Sequence, residues 1–371
     1  MSALAVAHDA INLSQGFPDF EGPSHGVDAA VSALRAGHNQ YVRSMGHPAL
    51  AKAIAGHQRR WYGIDVDPMR EVVVTTGATE AIAAAVLGLL EPGDEVILFE
   101  PFYDSYPALV SMAGGVSRYV TLRFPDFALD EDALRAQISA KTRMLVLNNP
   151  HNPSGKVFRR EELALIARIA EEHDLLVLSD EVYEHLVYDG AVHIPFSTLA
   201  GMASRTVTAS STGKTFSFTG WKVGWLTGPV PLVEAAQAAH QFLTFCGAAP
   251  LQVAMAEALE RCDESFLHSL RGEYQARRDL LVEGLRALGF DVASPRGTYF
   301  VLADHRALSE GQDDREFATR LVQQLGVAAI PPSAFYGREP AEGRRLLRFA
   351  FCKRLETLQH ALGRLRGLRT R

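Results

Sequence analysis

The sequence predicts an α/β fold, with a mostly parallel central sheet flanked by helices and a smaller α+β unit after it. Short β-rich runs alternate with amphipathic helical segments from about residue 70 to 230. Those runs are apolar throughout, as strands buried on both faces are. After residue 260 the alternation stops and a long amphipathic helix takes over.

The elements follow in order. Glu71–Thr75 reads as a strand and ATEAIAAAVLGLL as the helix after it, and Glu95–Phe99 reads as a strand following the turn Pro92-Gly93-Asp94. Met144–Leu147 is next, then a charged helix from Glu161 to His173, then strands at Leu175–Leu178 and Thr206–Ala209. Phe266, Leu270, Tyr274, Leu281, Leu285 and Leu288 mark one face of the long helix. A strand near Thr298–Leu302, a helix near Arg315–Leu325, the strand-like RLLRFAF at 345–351 and a final helix complete the chain. The expected organisation is an N-terminal arm, residues 1–22, belonging with the small domain; a large domain, 23–258; and a small domain, 259–371. The basic stretch 364–371 reads as the solvated end of the last helix.

A chain of 371 residues, 47% apolar, is long enough for more than one compact unit. The net charge of −6 is scattered, with no basic face for nucleic acid or an anionic membrane. Three cysteines (Cys246, Cys262, Cys352), with no CxxC pair and no His at ligand spacing, argue against disulfides and structural zinc. No metal site and a reducing, cytoplasmic compartment are therefore expected. The start MSALAVAHDAINLSQ lacks the pattern of a signal peptide, and Ala81–Leu90 is too short an apolar run to span a bilayer.

Five segments could carry chemistry. In SSTGKTFSFTGWKVGWLTG, Lys214 sits in a Ser/Thr/Gly-rich turn after a β-like run, with Lys222 eight residues on. The loop lacks P-loop spacing. It is either a solvated polar loop or a confined amine able to form an imine with an aldehyde. NNPHNPSG is either an Asn/Pro turn or a ligand site at the carboxyl end of a parallel strand, with Asn152 in it. In SDEVY, Asp180 is either a helix cap or a buried carboxylate needing a cation such as a pyridinium, with Tyr183 able to reach the same crevice. TTGATE, between strand and helix, is either an ordinary cap or an anion site built on Gly77 and Thr79. Arg348 in RLLRFAF lies in apolar surroundings and serves either a structural ion pair or a substrate carboxylate.

The order of these segments is more specific than any one of them. TGATE, EPFYDSY, NPHNPSGK, SDEVY, SSTGKTFSFTGWKVGW and RLLRFAF, in one register from about residue 10 to the C-terminus, resemble the fold-type-I aminotransferases of classes I and II. INLSQGFPDF and GKTFSFTGWKVGW are similar to the subgroup holding kynurenine aminotransferase (glutamine transaminase K) and the bacterial methionine aminotransferases.

The resemblance implies pyridoxal 5'-phosphate as cofactor, bound to Lys214, which then shuttles the proton between Cα and C4′. It implies Asp180 on the pyridine nitrogen, and Asn152 and Tyr183 on the phenolic oxygen. It also implies a phosphate cradle of Gly77, Ala78, Thr79, Ser211 and Lys222, and Tyr103 stacked on the ring. Arg348, assisted by Asn152 and the Gly16 N–H, would clamp the substrate carboxylate. Tyr41 would reach the neighbouring subunit's site in a homodimer. The implied activity moves an amino group from an amino acid to a 2-oxo acid with ping-pong kinetics. No second arginine can be assigned to a dicarboxylate side chain, and Tyr41, Tyr103, Phe335 and Tyr336 suit uncharged or aromatic donors such as methionine, glutamine or kynurenine. Relatives carry roughly twenty more residues before the INLSQGFPDF-like block, so either the start is assigned late or the pocket is more open. A cysteine-conjugate or cystathionine β-lyase and a non-catalytic cofactor-binding sensor are the alternatives.

Overall fold

Period-two alternation within the apolar runs decides the architecture. The computed structural model describes residues 1–368 and contains strands β1 (Ile11–Asn12), β2 (Val72–Thr76), β3 (Glu95–Glu100), β4 (Val116–Thr121), β5 (Thr142–Asn148) and β6 (Leu176–Asp180). It continues with β7 (Thr206–Ser211), β8 (Val223–Thr227), β9 (Asp291–Val292), β10 (Phe300–Asp304), β11 (Val327–Ala328) and β12 (Leu346–Ala350). Seven of them form one sheet in the order β2-β8-β7-β6-β5-β3-β4, parallel except for β8, which runs against both neighbours.

Ile97 and Phe99 of β3 and Leu145 and Leu147 of β5 face Leu163, Ile166 and Ile169 of the helix Arg160–Glu172. Their neighbours Val96, Leu98, Met144 and Val146 face the other way, onto Ala81, Ala84 and Ala85 of the helix Gly77–Leu89. Both faces are thus covered, which is why these strands read as unbroken apolar runs. Two strands of this sheet were not legible as such. β4 is an edge strand whose first four residues alternate between exposed and half-buried, and β8 hides inside the Lys214 segment.

A second, antiparallel sheet of order β12-β10-β9 packs with the helices Glu264–Leu288 and Leu355–Leu365 through Tyr274, Leu281, Leu285, Leu358 and Ala361. Phe266 and Leu270, expected on the same helix face, pack only at its margin or against the large-sheet helices. In the N-terminal segment, β1 pairs in parallel with β11 (Ile11 opposite Val327), and the Leu13 carbonyl accepts from the Ala350 N–H. The last helix ends at Leu365 and a single turn follows at Arg366–Leu368; residues 369–371 of the basic stretch lie outside the described residues. No helix among the described residues is long and apolar enough to cross a membrane.

Candidate active site

Parallel strands leave their carboxyl ends, and the loops after them, on one rim of the sheet. Asn148 ends β5, Asp180 ends β6 and Ser211 ends β7, and all three line a cavity of about 240 Å³ on that rim. The cavity is closed from the other side by Gly16, Phe300 and Arg348. Gly77, Ala78, Thr79, Tyr103, Asn152, Tyr183, Lys214 and Lys222 complete the set expected from sequence, with the exception of Tyr41.

Lys214 is carried on the short turn of helix Thr212–Thr215 directly after β7. Its Nζ donates to the Tyr299 hydroxyl at 2.9 Å, and that hydroxyl donates to the Gly16 carbonyl at 2.6 Å. Burial pulls its pKa down to about 8, with Lys222 and Arg348 pushing the same way and Cys352 and Asp180 opposing. A lysine so placed is no solvated loop residue, and it holds a usable fraction of free amine near neutral pH.

Asp180 is buried and accepts from the Tyr106 hydroxyl at 2.5 Å and the Val182 N–H at 3.3 Å. No ion-pair partner reaches it among the described residues. Burial lifts its pKa to about 6, against the lowering effect of Tyr106 and Lys214. A buried carboxylate left without a cation is stabilised by a protonated ring nitrogen brought next to it.

At the far end of the cavity β2 turns into the helix Gly77–Leu89 through Gly77, whose φ of +74° favours glycine. A Cβ there would sit 3.1 Å from the Lys222 Nζ. From below, Gly224 of β8 brings its backbone so close that a Cβ would lie 2.5 Å from the Ala78 nitrogen. These approaches leave the first N–H groups of a 13-residue helix beside an ammonium, with the Thr79 and Ser211 side chains at the same end of the cavity. That is a donor set for a phosphate.

Arg348, on β12, donates through Nη1 to the Asn152 Oδ1 and through Nη2 to the Ser14 carbonyl, each at 3.2 Å. Asn152 is itself fixed, its N–H donating to the Asn148 Oδ1 at 2.6 Å. The guanidinium lies 4.1 Å from the Phe300 ring centre and 5.1 Å from that of Phe335, and burial lowers its pKa. Its Nε has no partner, and no carboxylate pairs with it among the described residues. The structural ion pair is thereby set aside, and the group is free for an incoming carboxylate.

Tyr41 does not line this cavity; it is 86% exposed and its ring meets only the edge of Phe245, 5.5 Å away. Phe335 and Tyr336 are buried beside the site rather than lining it. Sequence reasoning missed Tyr106 and Tyr299, the two hydroxyls that hold Asp180 and Lys214. Tyr106 was within reach, since it lies in EPFYDSY three residues after Tyr103, one helical turn on. Tyr299 stands directly before the apolar β10 and nothing local marks it.

An α/β sheet with a confined lysine, a buried carboxylate, an anion cradle and an unpaired arginine at one rim defines an enzyme that holds a phosphorylated pyridine aldehyde and an amino acid together. The chain belongs to the aminotransferase class I and II family, whose description matches residues 8–365, and it is a pyridoxal-phosphate-dependent transaminase. It is 50% identical to a protein of Mycobacterium tuberculosis named probable N-succinyldiaminopimelate aminotransferase DapC, covering 100% of this chain and 95% of that one. The solved structure of N-succinyldiaminopimelate aminotransferase from that organism superposes with a TM-score of 0.96 at 50% identity, covering 99% of this chain and 96% of that one. The methionine aminotransferase of Escherichia coli is 41% identical over 99% of this chain and 94% of its own length. The kynurenine–oxoglutarate transaminase of Dictyostelium discoideum is 40% identical over 97% and 91%.

Proposed function

We propose that this transaminase takes its amino group from an uncharged or aromatic amino acid, methionine, glutamine or a kynurenine-like donor, and passes it to a 2-oxo acid at the same site in a ping-pong cycle. One observation carries the reading. Among the described residues the only Lys or Arg side chains lining the cavity are Lys214, Lys222 and Arg348, so a single carboxylate clamp is present and none of the described residues offers a second arginine to a dicarboxylate side chain. Bound there, pyridoxal phosphate would supply an aldehyde for amine exchange and a ring that accepts electrons from Cα.

The chain's own residues do the rest. Gly77, Ala78, Thr79, Ser211 and Lys222 would hold the phosphate, with Tyr103 against the ring. Asp180 would keep a proton on the pyridine nitrogen, held in place by Tyr106. Asn152 and Tyr183 would bond the phenolic oxygen. Arg348, with Asn152 and Gly16, orients the substrate carboxylate and thereby aims the Cα–H at the Lys214 Nζ. That amine, with its pKa near 8, takes the proton and returns it on the other side of the transfer. Tyr299 steadies the amine when it is free.

The exposure of Tyr41 supports a homodimer in which it completes the partner's site. The pairing of β1 with β11 supports an N-terminal arm, 1–22, joined to a small domain of 259–371, with 23–258 as the cofactor-binding domain. The absence of a crossing helix among the described residues fits a cytoplasmic enzyme.

A second reading rests on the whole-chain 50% identity to the mycobacterial protein: a succinylated diaminopimelate as amino donor. The test is an absorbance scan of the holoenzyme against single donors, including N-succinyldiaminopimelate. Rapid conversion by methionine, glutamine or kynurenine supports the first reading. Conversion by the succinylated compound alone overturns it in favour of the second. Pyruvate and ammonia released without any 2-oxo acid would mark a β-lyase instead. Lys214→Ala abolishes conversion by every donor; a variant that still turned over would overturn the assignment of the amine.

A further inference from the structure

Behind the cavity, on the far side of β6 and β7, lies a group of buried side chains that the transamination site does not use. His57 comes from the helix Pro48–Tyr62, and Glu184 and His185 follow β6. The two imidazole Nε2 atoms are 3.0 Å apart, and the Glu184 Oε2 is 3.6 Å from that of His57 and 3.9 Å from that of His185. One hydrogen can lie between the two rings, but the contacts to the carboxylate are too long for hydrogen bonds. All three separations suit atoms that share one ion. A point equidistant from them lies about 2 Å from each, the bond length of zinc to imidazole nitrogen and carboxylate oxygen.

Charge points the same way. Glu184 and the neighbouring Glu181 are both buried, and among the described residues neither makes an ion pair with a lysine or arginine; imidazoles and hydroxyls face them, while the charge of Arg271 acts on His185 and Tyr62 beside them. Buried negative charge without a fixed cation is costly, and a divalent ion would neutralise it.

The surroundings are those of a prepared site. The Tyr62 hydroxyl donates to the Glu184 Oε2 at 2.6 Å and the Ser210 hydroxyl to its Oε1 at 2.7 Å, which fixes the carboxylate as outer partners do in metal centres. A cavity of about 10 Å³ lined by His57, Tyr62, Glu181, Glu184 and Ser210 adjoins two of the three ligand residues, at the lower limit for one water as a fourth ligand.

We propose that His57, Glu184 and His185 form a structural site for a divalent transition metal, zinc by ligand type, that ties the helix Pro48–Tyr62 to the segments carrying Asp180, Tyr183 and Lys214. The cysteine spacing gave no hint of it, because the ligands are two histidines and a glutamate drawn from positions 57, 184 and 185.

The experiment uses the full-length holoenzyme, stripped with a chelator and then titrated with zinc chloride. Metal is read by elemental analysis after gel filtration, and affinity by competition with a chromophoric chelator. The expected result is about one zinc per chain, weakened by ~10- to 100-fold in Ser210→Ala, which removes an outer partner, and lost in His57→Ala and in His185→Ala. Cobalt in place of zinc should give visible ligand-field bands that vanish with the same two variants. A wild-type protein that takes up no zinc beyond trace overturns the proposal. So does zinc retained at full stoichiometry in His57→Ala, since that metal would sit elsewhere. The wild-type titration decides the matter even if a variant fails to fold.

Discussion

Replacing Arg348 by lysine keeps a positive charge in the cavity but removes the flat fork that faces a carboxylate. In the structure the guanidinium is steadied by the Asn152 Oδ1 and the Ser14 carbonyl, while among the described residues Nε has no partner and no carboxylate forms an ion pair with it. An incoming α-carboxylate therefore gains charge-assisted bonds worth about 1.5–3 kcal/mol each, two of them in a bidentate pair. A lysine can supply one such bond at most, so the expected loss is about 2–3 kcal/mol of transition-state stabilisation, or roughly 30- to 150-fold in kcat/KM. The assay is the half-reaction of holoenzyme with the preferred amino acid, followed by the change in cofactor absorbance. The decarboxylated amine of the same donor serves as control. Arg348→Lys should lose the amino acid preferentially and treat the amine as wild type does. A variant within threefold of wild type on the amino acid, or one that loses the amine equally, would refute the role given to Arg348.

Two further outcomes follow from buried carboxylates. Asp180 has a folded-state pKa of about 6, raised by burial above its ordinary value, so the cofactor-free protein holds a proton there that the unfolded chain has released between about pH 4 and 6. Its contribution to stability is therefore present at low pH and lost as pH rises through that window. Denaturant midpoints of Asp180→Asn at the two ends of the window should differ less than those of wild type, and the variant's transaminase activity should collapse. An unchanged pH dependence would count against the argument. Glu100, fully buried, accepts from the N–H groups of Gly337, Arg338 and Glu339 and from the Thr121 hydroxyl, anchoring to β3 the segment that carries Phe335 against Arg348. Glu100→Gln removes at least one bond to a charged acceptor, about 1.5–3 kcal/mol. A raised donor KM with cofactor binding intact is expected from steady-state kinetics, and an unaltered KM with an unaltered unfolding midpoint would exclude this anchoring role.

Much was readable before any coordinates because the information was local. Apolar runs such as VVVTT and LVLSD carry strand period and burial in adjacent residues, and Gly77, Asp180 and Lys214 each stand at the end of such a run, where a parallel sheet puts its ligands. β4 escaped because an edge strand has one bare side and alternates like a surface segment, and the reversal of β8 is a matter of topology that no local pattern encodes.

Lys214, with which the chemistry begins, shows where the division falls. Sequence alone determined that a lysine stands in a Ser/Thr/Gly turn after a strand, within an ordered set of motifs that mark a transaminase. Only the tertiary structure decided that this lysine is desolvated, that the Tyr299 hydroxyl 85 positions away holds it, and that among the described residues Asp180 has no ion-pair partner and Arg348 no carboxylate. The same is true of His57, brought from one helix to meet Glu184 and His185. The physical reason is common to all of them. Residue type and local period are written along the chain, whereas desolvation, charge balance and the partner of a polar atom depend on what other segments bring within a few ångströms.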